Sequence, residues 1–233
     1  RSKGQGVAQC YEKPLWRTPG DVDLLLSEEN YRKANELLSS IASSVDEENP
    51  YNQHIAMIVE GWSVELHGTL RSGLWRGVDK TLDKVQDNVF YEGNVRSVEF
   101  KSSAGSKVQV FVPAPGEDVV YVFSHILQHF FFGGIGLRQI CDWCRLLYTY
   151  KDSLNHGLLE SRIREAGLMT EWKAFASLAV NDIGMPVEAM PFYSSDQKWS
   201  RKAKQVMDFV LYTGNFGDNR DYSYYNKYPY IVY

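Results

Sequence analysis

Apolar and polar positions alternate in two rhythms along this chain, a short-period one before residue 115 and a helical one after it. A short helix is expected over 5–13, following Lys3-Gly4-Gln5-Gly6, and Pro14 with Thr18-Pro19-Gly20 marks a loop. Residues 21–26 read D-V-D-L-L-L, a short strand with carboxylates at its start. Ser27 is positioned as an N-cap, with Glu28 and Glu29 in the first turn, where the helix dipole favours negative charge. The helix that follows, 28–43, carries Tyr31, Ala34, Leu37, Leu38 and Ile41 on one face. A polar turn over 46–52 precedes two strands, 54–60 and 63–70, separated by Gly61.

The middle of the chain predicts a helix at 79–90 and a hairpin of 95–101 with 107–112, closed by Pro113 and Pro115. Beyond that the spacing is helical, with segments at 117–132, 135–150, 155–166, 170–183 and 197–211. The shift near Pro115 predicts a boundary between a domain of 1–115 and one of 116–233. No internal repeat is visible. The expected fold class is α+β: a small mixed sheet with flanking helices, followed by a helical domain, with the active cleft between the two.

Composition narrows the function classes. At 233 residues, 44% apolar and 23% charged, the chain has the profile of a folded protein. A net charge of −4 denies it the basic field that draws proteins onto nucleic acid, so no general nucleic-acid binding is expected. The apolar patch at Phe130, Phe131 and Phe132 ends at Gly133-Gly134, well short of the roughly 18 residues of a membrane span. Cys141 and Cys144 form a CxxC, but they sit in a helical apolar pattern with Ile140, Trp143, Leu146 and Leu147, and no second pair completes a zinc site. Buried thiols in a reducing cytoplasm are the expectation. Beginning at Arg1 and ending in an aromatic run at Tyr233, the chain reads as a piece of a longer protein.

The carboxylates carry the sharpest chemistry. Residues two apart in a strand project from one face, which sets Asp21 beside Asp23. Two such carboxylates repel unless a cation or proton separates them, and the apolar neighbours Val22, Leu24, Leu25 and Leu26 indicate a buried strand. A hard divalent cation with oxygen ligands resolves both problems. The plainer reading is that Asp21 caps a turn and Asp23 meets an arginine such as Arg17. Glu65 tips the balance toward metal. It is the acid within an otherwise apolar strand stretch, His67 shares its face, and a neighbouring or antiparallel strand would bring it beside the pair. Three carboxylates on adjacent strands suit metal-ion phosphoryl transfer.

These residues resemble a known pattern. Lys3-Gly4, a short helix, Pro14, Arg17, Gly20-Asp21-Val22-Asp23-Leu24-Leu25-Leu26 and then Val64-Glu65-Leu66-His67 are similar to the uncharacterised nucleotidyltransferase family of bacteria. That family lies within the DNA polymerase beta-like superfamily, which also contains the antibiotic nucleotidyltransferases. Farther on, His125, His129, Gly136, Leu137-Arg138 and Asp142 resemble the family's helical segment. The resemblance implies a nucleotidyltransferase-type sheet, with Asp21 and Asp23 as metal aspartates and Glu65 as the third acid. It also implies Mg2+ or Mn2+ as cofactor and an NTP as substrate. Lys3-Gly4 stands where the wider superfamily has a Gly-Ser turn that grips the triphosphate, so Lys3, Gly4 and Arg17 are the expected phosphate contacts.

Several residues keep two readings. Arg17 either pins its loop or contacts phosphate. His67 orients Glu65, touches substrate, or is simply a half-buried strand histidine. His125 and His129 lie i, i+4 on one helix face, the spacing of a two-histidine metal site, but without the glutamate of an HExxH motif, so a role facing the substrate cleft or a satisfied structural one is the expectation. Arg138 and Asp142 form either a surface ion pair or part of a substrate cleft, and the tyrosines from Tyr222 to Tyr233 either stack a base or pack on their own domain. The leading expectation is transfer of an NMP group from an NTP to an acceptor hydroxyl of unknown identity. A non-catalytic nucleotide- or partner-binding module that keeps the fold is the alternative, and a structural domain of a larger enzyme is the third.

Overall fold

A computed structural model describes residues 3–17, 20–101 and 107–214, with the side chains of 3–5, 15, 100 and 101 outside the description. The first compact unit ends at Asp118 and the second begins at Val119. The class is α+β, with a four-stranded mixed sheet, a separate two-stranded sheet and α-helices.

In the first unit the chain runs α1 (Lys3–Ala8), a 3-10 turn (Pro14–Trp16), β1 (Val22–Leu25), α2 (Glu28–Ser39), β2 (Ser44–Val45), β3 (His54–Val59) and β4 (Trp62–His67). The large sheet has the order β1-β4-β3-β2. β1 pairs parallel with β4, while β3 is antiparallel to both β4 and β2. The β3–β4 connection is a two-residue hairpin turn in which Glu60 (φ 50°) and Gly61 (φ 82°) both take positive φ. That backbone belongs to a type I′ turn, whose twist matches the flanking strands and fixes their register.

Alternation then sorts the side chains of these strands onto two faces. Val64, Leu66, Ile55 and Met57 are buried on one face and join Tyr31, with Val22, Leu24, Leu26, Ala34 and Leu38 packed around them. Asp23, Glu65 and His67 belong to the other. Two expectations about α2 need correction. The helix stops at Ser39 rather than at 43, and Leu37 and Ile41 are 66% and 58% exposed. Tyr31, Ala34 and Leu38 face the sheet, and Leu37 lies one step round from that stripe. The early stop frees Ser44 and Val45 to pair with Ile58 and Met57 as the edge strand β2, a gain in main-chain hydrogen bonding that side-chain periodicity does not signal. Ser27 is at the N-cap position without a side-chain capping bond, and Glu28 and Glu29 pair instead with Arg32 and Lys33 one turn on.

The opening segment also differs from expectation. Lys3-Gly4-Gln5-Gly6 is not a turn leading into a helix over 5–13; it is itself the body of α1, which ends at Ala8. Val7, Ala8 and Cys10 are buried, and this packing outweighs the poor helix propensity of two glycines.

The rest of the first unit contains α3 (Arg76–Phe90), β5 (Val95–Lys101) and β6 (Lys107–Pro113), the last two pairing as their own antiparallel ribbon. Asp79, buried in the first turn of α3, organises the approach to the helix. Its Oδ1 accepts from the Ser72 and Gly73 amides at 2.8 and 3.2 Å and from Ser72 Oγ at 3.1 Å, while Tyr51 Oη donates to Oδ2 at 2.5 Å. Asp79→Asn keeps one acceptor oxygen but loses the charge behind these bonds. A destabilisation of about 1–2 kcal/mol is expected in urea unfolding, the difference between charged and neutral acceptors.

The second unit holds most of α4 (Pro115–Phe132), then α5 (Leu137–Tyr150), α6 (His156–Glu165), α7 (Met169–Asn181) and α8 (Gln197–Thr213). Its core is aromatic. Phe123 sits 5.0 Å from Trp143, 4.8 Å from Trp172 and 5.7 Å from Phe175 between ring centres, and Trp172 Nε1 donates to the Pro191 carbonyl at 2.8 Å. Cys144 is buried beside this core and Cys141 half-buried; all three cysteines are free thiols. Burial pushes the Cys144 thiol up to about 12, as expected of an inert buried thiol. No helix among the described residues is long and apolar enough to cross a membrane.

Glu171, in the first turn of α7, is 8% exposed in a small cavity walled by Leu127, Phe131, Phe175 and Val206. Loss of water raises its carboxyl above the usual range, against the opposing pull of its own backbone N–H and of Lys202. The folded state therefore holds this proton more tightly than the unfolded chain does. Stability is full below the ordinary glutamate value of 4.5 and falls as pH rises through the raised folded value. Glu171→Gln should accordingly melt above wild type at pH 8 and alongside it at pH 4, as read by circular dichroism.

Candidate metal centre

The centre is built on the sheet face opposite the Leu66 core. Register sets Asp23 beside Glu65 in the parallel β1–β4 pair, and Leu25 beside His67. Across the hairpin, Ala56 faces Glu65 and His54 faces His67. A methyl side chain at Ala56 leaves room on this face, and the His54 ring reaches over toward Glu65. Asp21, two residues before Asp23, completes the acidic group. One ligand atom each from Asp21, Asp23 and Glu65 lies within 4.8 Å of the others. The expected proximity of Glu65 to the aspartate pair is therefore present, through a parallel rather than an antiparallel neighbour.

Asp23 is only 3% exposed. A buried carboxylate next to two more is costly unless positive charge or hydrogen-bond donors offset it. Part of the offset comes from His67, whose Nε2 lies 3.1 Å from Asp23 Oδ1 and 3.4 Å from Glu65 Oε2. His54 Nε2 approaches the same Glu65 oxygen at 3.2 Å, and the two imidazole rings are 4.8 Å apart. The oxygen-rich remainder has the donor chemistry of a Mg2+ or Mn2+ site, which takes carboxylates from a few side chains and keeps some water. Asp21, Asp23 and Glu65 are the residues able to hold such an ion.

His54 escaped the reading of the sequence. It opens β3 just after Gln53, whose φ of 43° bends the chain into the strand. The signal was available: once Glu60-Gly61 is recognised as a two-residue turn, counting outward along both strands pairs His54 with His67.

Other expected site residues are distributed differently. Arg17 is half-buried just after the 3-10 turn, its amide donating to the Pro14 carbonyl at 3.2 Å. Thr18 and Pro19, the side chain of Lys3, the surroundings of Gly4 and the tyrosine run from Tyr222 to Tyr233 lie outside the description. His125 and His129 sit on α4 in the second unit, Nε2 to Nε2 at 3.0 Å with rings edge to face. Among the described residues no third His, Cys, Asp or Glu joins them within ligating distance. On α5, Arg138 is exposed and Asp142 is 4% exposed. It lies on the buried stripe with Ile140, Trp143 and Leu146, whose packing draws it inward.

A family model described as "uncharacterised nucleotidyltransferase" matches residues 2–181. No curated protein and no solved structure matches the chain.

Proposed function

The chain belongs to the uncharacterised nucleotidyltransferase family, and from that premise we propose that it transfers an NMP group from an NTP to an acceptor hydroxyl at the Asp21–Asp23–Glu65 centre. The observation that carries this reading is the parallel register of Asp23 with Glu65, which converges three carboxylates on one sheet face. Mg2+ or Mn2+ bound there supplies neutralisation of phosphate charge and acidifies an attacking hydroxyl.

The chain's own residues have separable tasks. Asp21 and Asp23 hold the ion, with Asp23 fixed by burial and by His67. Glu65 is the third ligand or accepts the acceptor's proton. Arg17, four residues before Asp21, is assigned to phosphate together with Lys3, and Gly4 allows close approach. Three free thiols suit a reducing cytoplasm.

One observation favours a second reading. Lys3-Gly4 lies within α1, a helix, where a triphosphate-gripping turn is expected. A domain that binds nucleotide without turning it over would account for that.

Calorimetric titration of ATP, GTP, CTP and UTP with Mg2+ tests the proposal, beside an Asp21→Asn/Asp23→Asn double variant. Mg2+-dependent binding to wild type that the double variant lacks supports it. Absence of binding with both Mg2+ and Mn2+ overturns it, and metal-independent binding that the double variant keeps selects the second reading.

A further inference from the structure

Two imidazoles converge on the acidic centre, and nothing in the nucleotidyl-transfer reading requires both. His54 Nε2 and His67 Nε2 lie 3.2 and 3.4 Å from one and the same oxygen, Glu65 Oε2. Hydrogen bonds alone would produce such distances, but so would coordination. Ligands held about 2.1 Å from a tetrahedral ion stand about 3.4 Å from one another, and both measured separations are close to that spacing. The ligand atoms of His54, Glu65 and His67 also all fall within 4.8 Å of one another.

We propose that His54, Glu65 and His67 form a second cation site, selective for a borderline transition ion such as Zn2+, which shares Glu65 with the carboxylate centre. The donor chemistry separates the two positions. Asp21, Asp23 and Glu65 offer only hard oxygen and suit Mg2+. A set of two imidazoles and one carboxylate suits Zn2+ or its first-row neighbours and leaves at least one coordination position open to water or substrate. Mg2+ has little affinity for imidazole, so the histidines sort the cations by type.

The placement is rigid enough to act as a site. His54 and His67 are directly paired across a hairpin whose two-residue turn fixes their register, and Glu65 is two residues from His67 on the same strand face. Their side chains are 29%, 15% and 26% exposed, so an ion there remains reachable from solvent. Coordination through both Nε2 atoms requires each neutral ring to carry its proton on Nδ1, so an ion here would take His67 Nε2 from its 3.1 Å contact with Asp23 Oδ1.

The site needs no nucleotide, so it is read apart from the transfer reaction. The test is titration of the metal-free full chain with Co2+ as a spectroscopic substitute for Zn2+. Wild type should develop strong visible ligand-field bands that hexa-aqua Co2+ lacks, and Zn2+ should displace them. His54→Ala and the bulkier His54→Gln should weaken binding by at least about tenfold, since even outer partners of metal ligands contribute that much. Asp21→Asn should retain the bands. Unchanged affinity and spectrum in both His54 variants overturns the proposal, leaving the imidazoles as hydrogen-bonding supports of the carboxylates. If either variant does not fold, long-range proton–nitrogen NMR of wild type decides: added Zn2+ should shift the Nε2 resonances of both histidines, and unmoved resonances refute the site. Failure here leaves Mg2+-dependent nucleotide binding standing, and the reverse holds equally.

Discussion

Asp23→Asn should lower the rate of nucleotidyl transfer by about 10²–10⁴-fold while leaving the protein folded. Stabilisation of phosphate charge by a catalytic metal contributes several kcal/mol, and each tenfold in rate corresponds to about 1.4 kcal/mol. Asn keeps the shape of the side chain and an Oδ1 acceptor for His67, which now stands 3.1 Å from it. It also removes one of three adjacent negative charges from a buried position, so thermal melting of the metal-free variant should not fall below wild type. The assay is pyrophosphate release from the NTP that binds most tightly, with Mg2+ present and water standing in as the acceptor of the NMP group. A rate within tenfold of wild type would remove Asp23 from the chemistry; lost activity together with a lowered melting point would instead mark a structural carboxylate.

The largest stability loss is expected in the second unit, from Phe123→Ala. Phe123 is fully buried against Trp143, Trp172 and Phe175, three rings with centres between 4.8 and 5.7 Å away. Truncation deletes the transfer energy of a ring and leaves a cavity that two indoles are too rigid to collapse into. A cost of about 3–5 kcal/mol follows, with aromatic pair geometry accounting for part of it. For a chain of this length that corresponds to a melting temperature lower by roughly 6–20 °C. Scanning calorimetry measures it, and a loss under about 1 kcal/mol would show that the cluster repacks.

Much of the centre was legible because it rests on the two-residue period of strands. That period alone sets Asp21 and Asp23 on one face and Glu65 with His67 on one face. It does not reveal which strands are neighbours. β1 reaches β4 only after the chain has passed through α2, β2 and β3, and the parallel Asp23–Glu65 register is a product of that tertiary path. His54 was missed because its role depends on the partner strand rather than on its own surroundings. Elsewhere, tertiary packing overrode local rules. Buried Val7 and Ala8 sustain a helix through Gly4 and Gly6, main-chain pairing of β2 shortens α2, and the α5 stripe carries Asp142 inward. None of these is written in a local window of residues.

The tight turn at Glu60 and Gly61 has a reach well beyond its two residues. It lies about 14 Å along β4 from Glu65, at strand rise, and touches none of the ligands. Yet it acts as the vernier of the centre. One residue more or fewer there slides β3 against β4 by a step and inverts which side chains share a face. His54 would then move to the face of Leu66, and Glu65 would lose its small neighbour Ala56. Both the number of residues in this turn and the left-handed backbone at Gly61 (φ 82°) therefore govern, from a distance, which side chains meet at the centre.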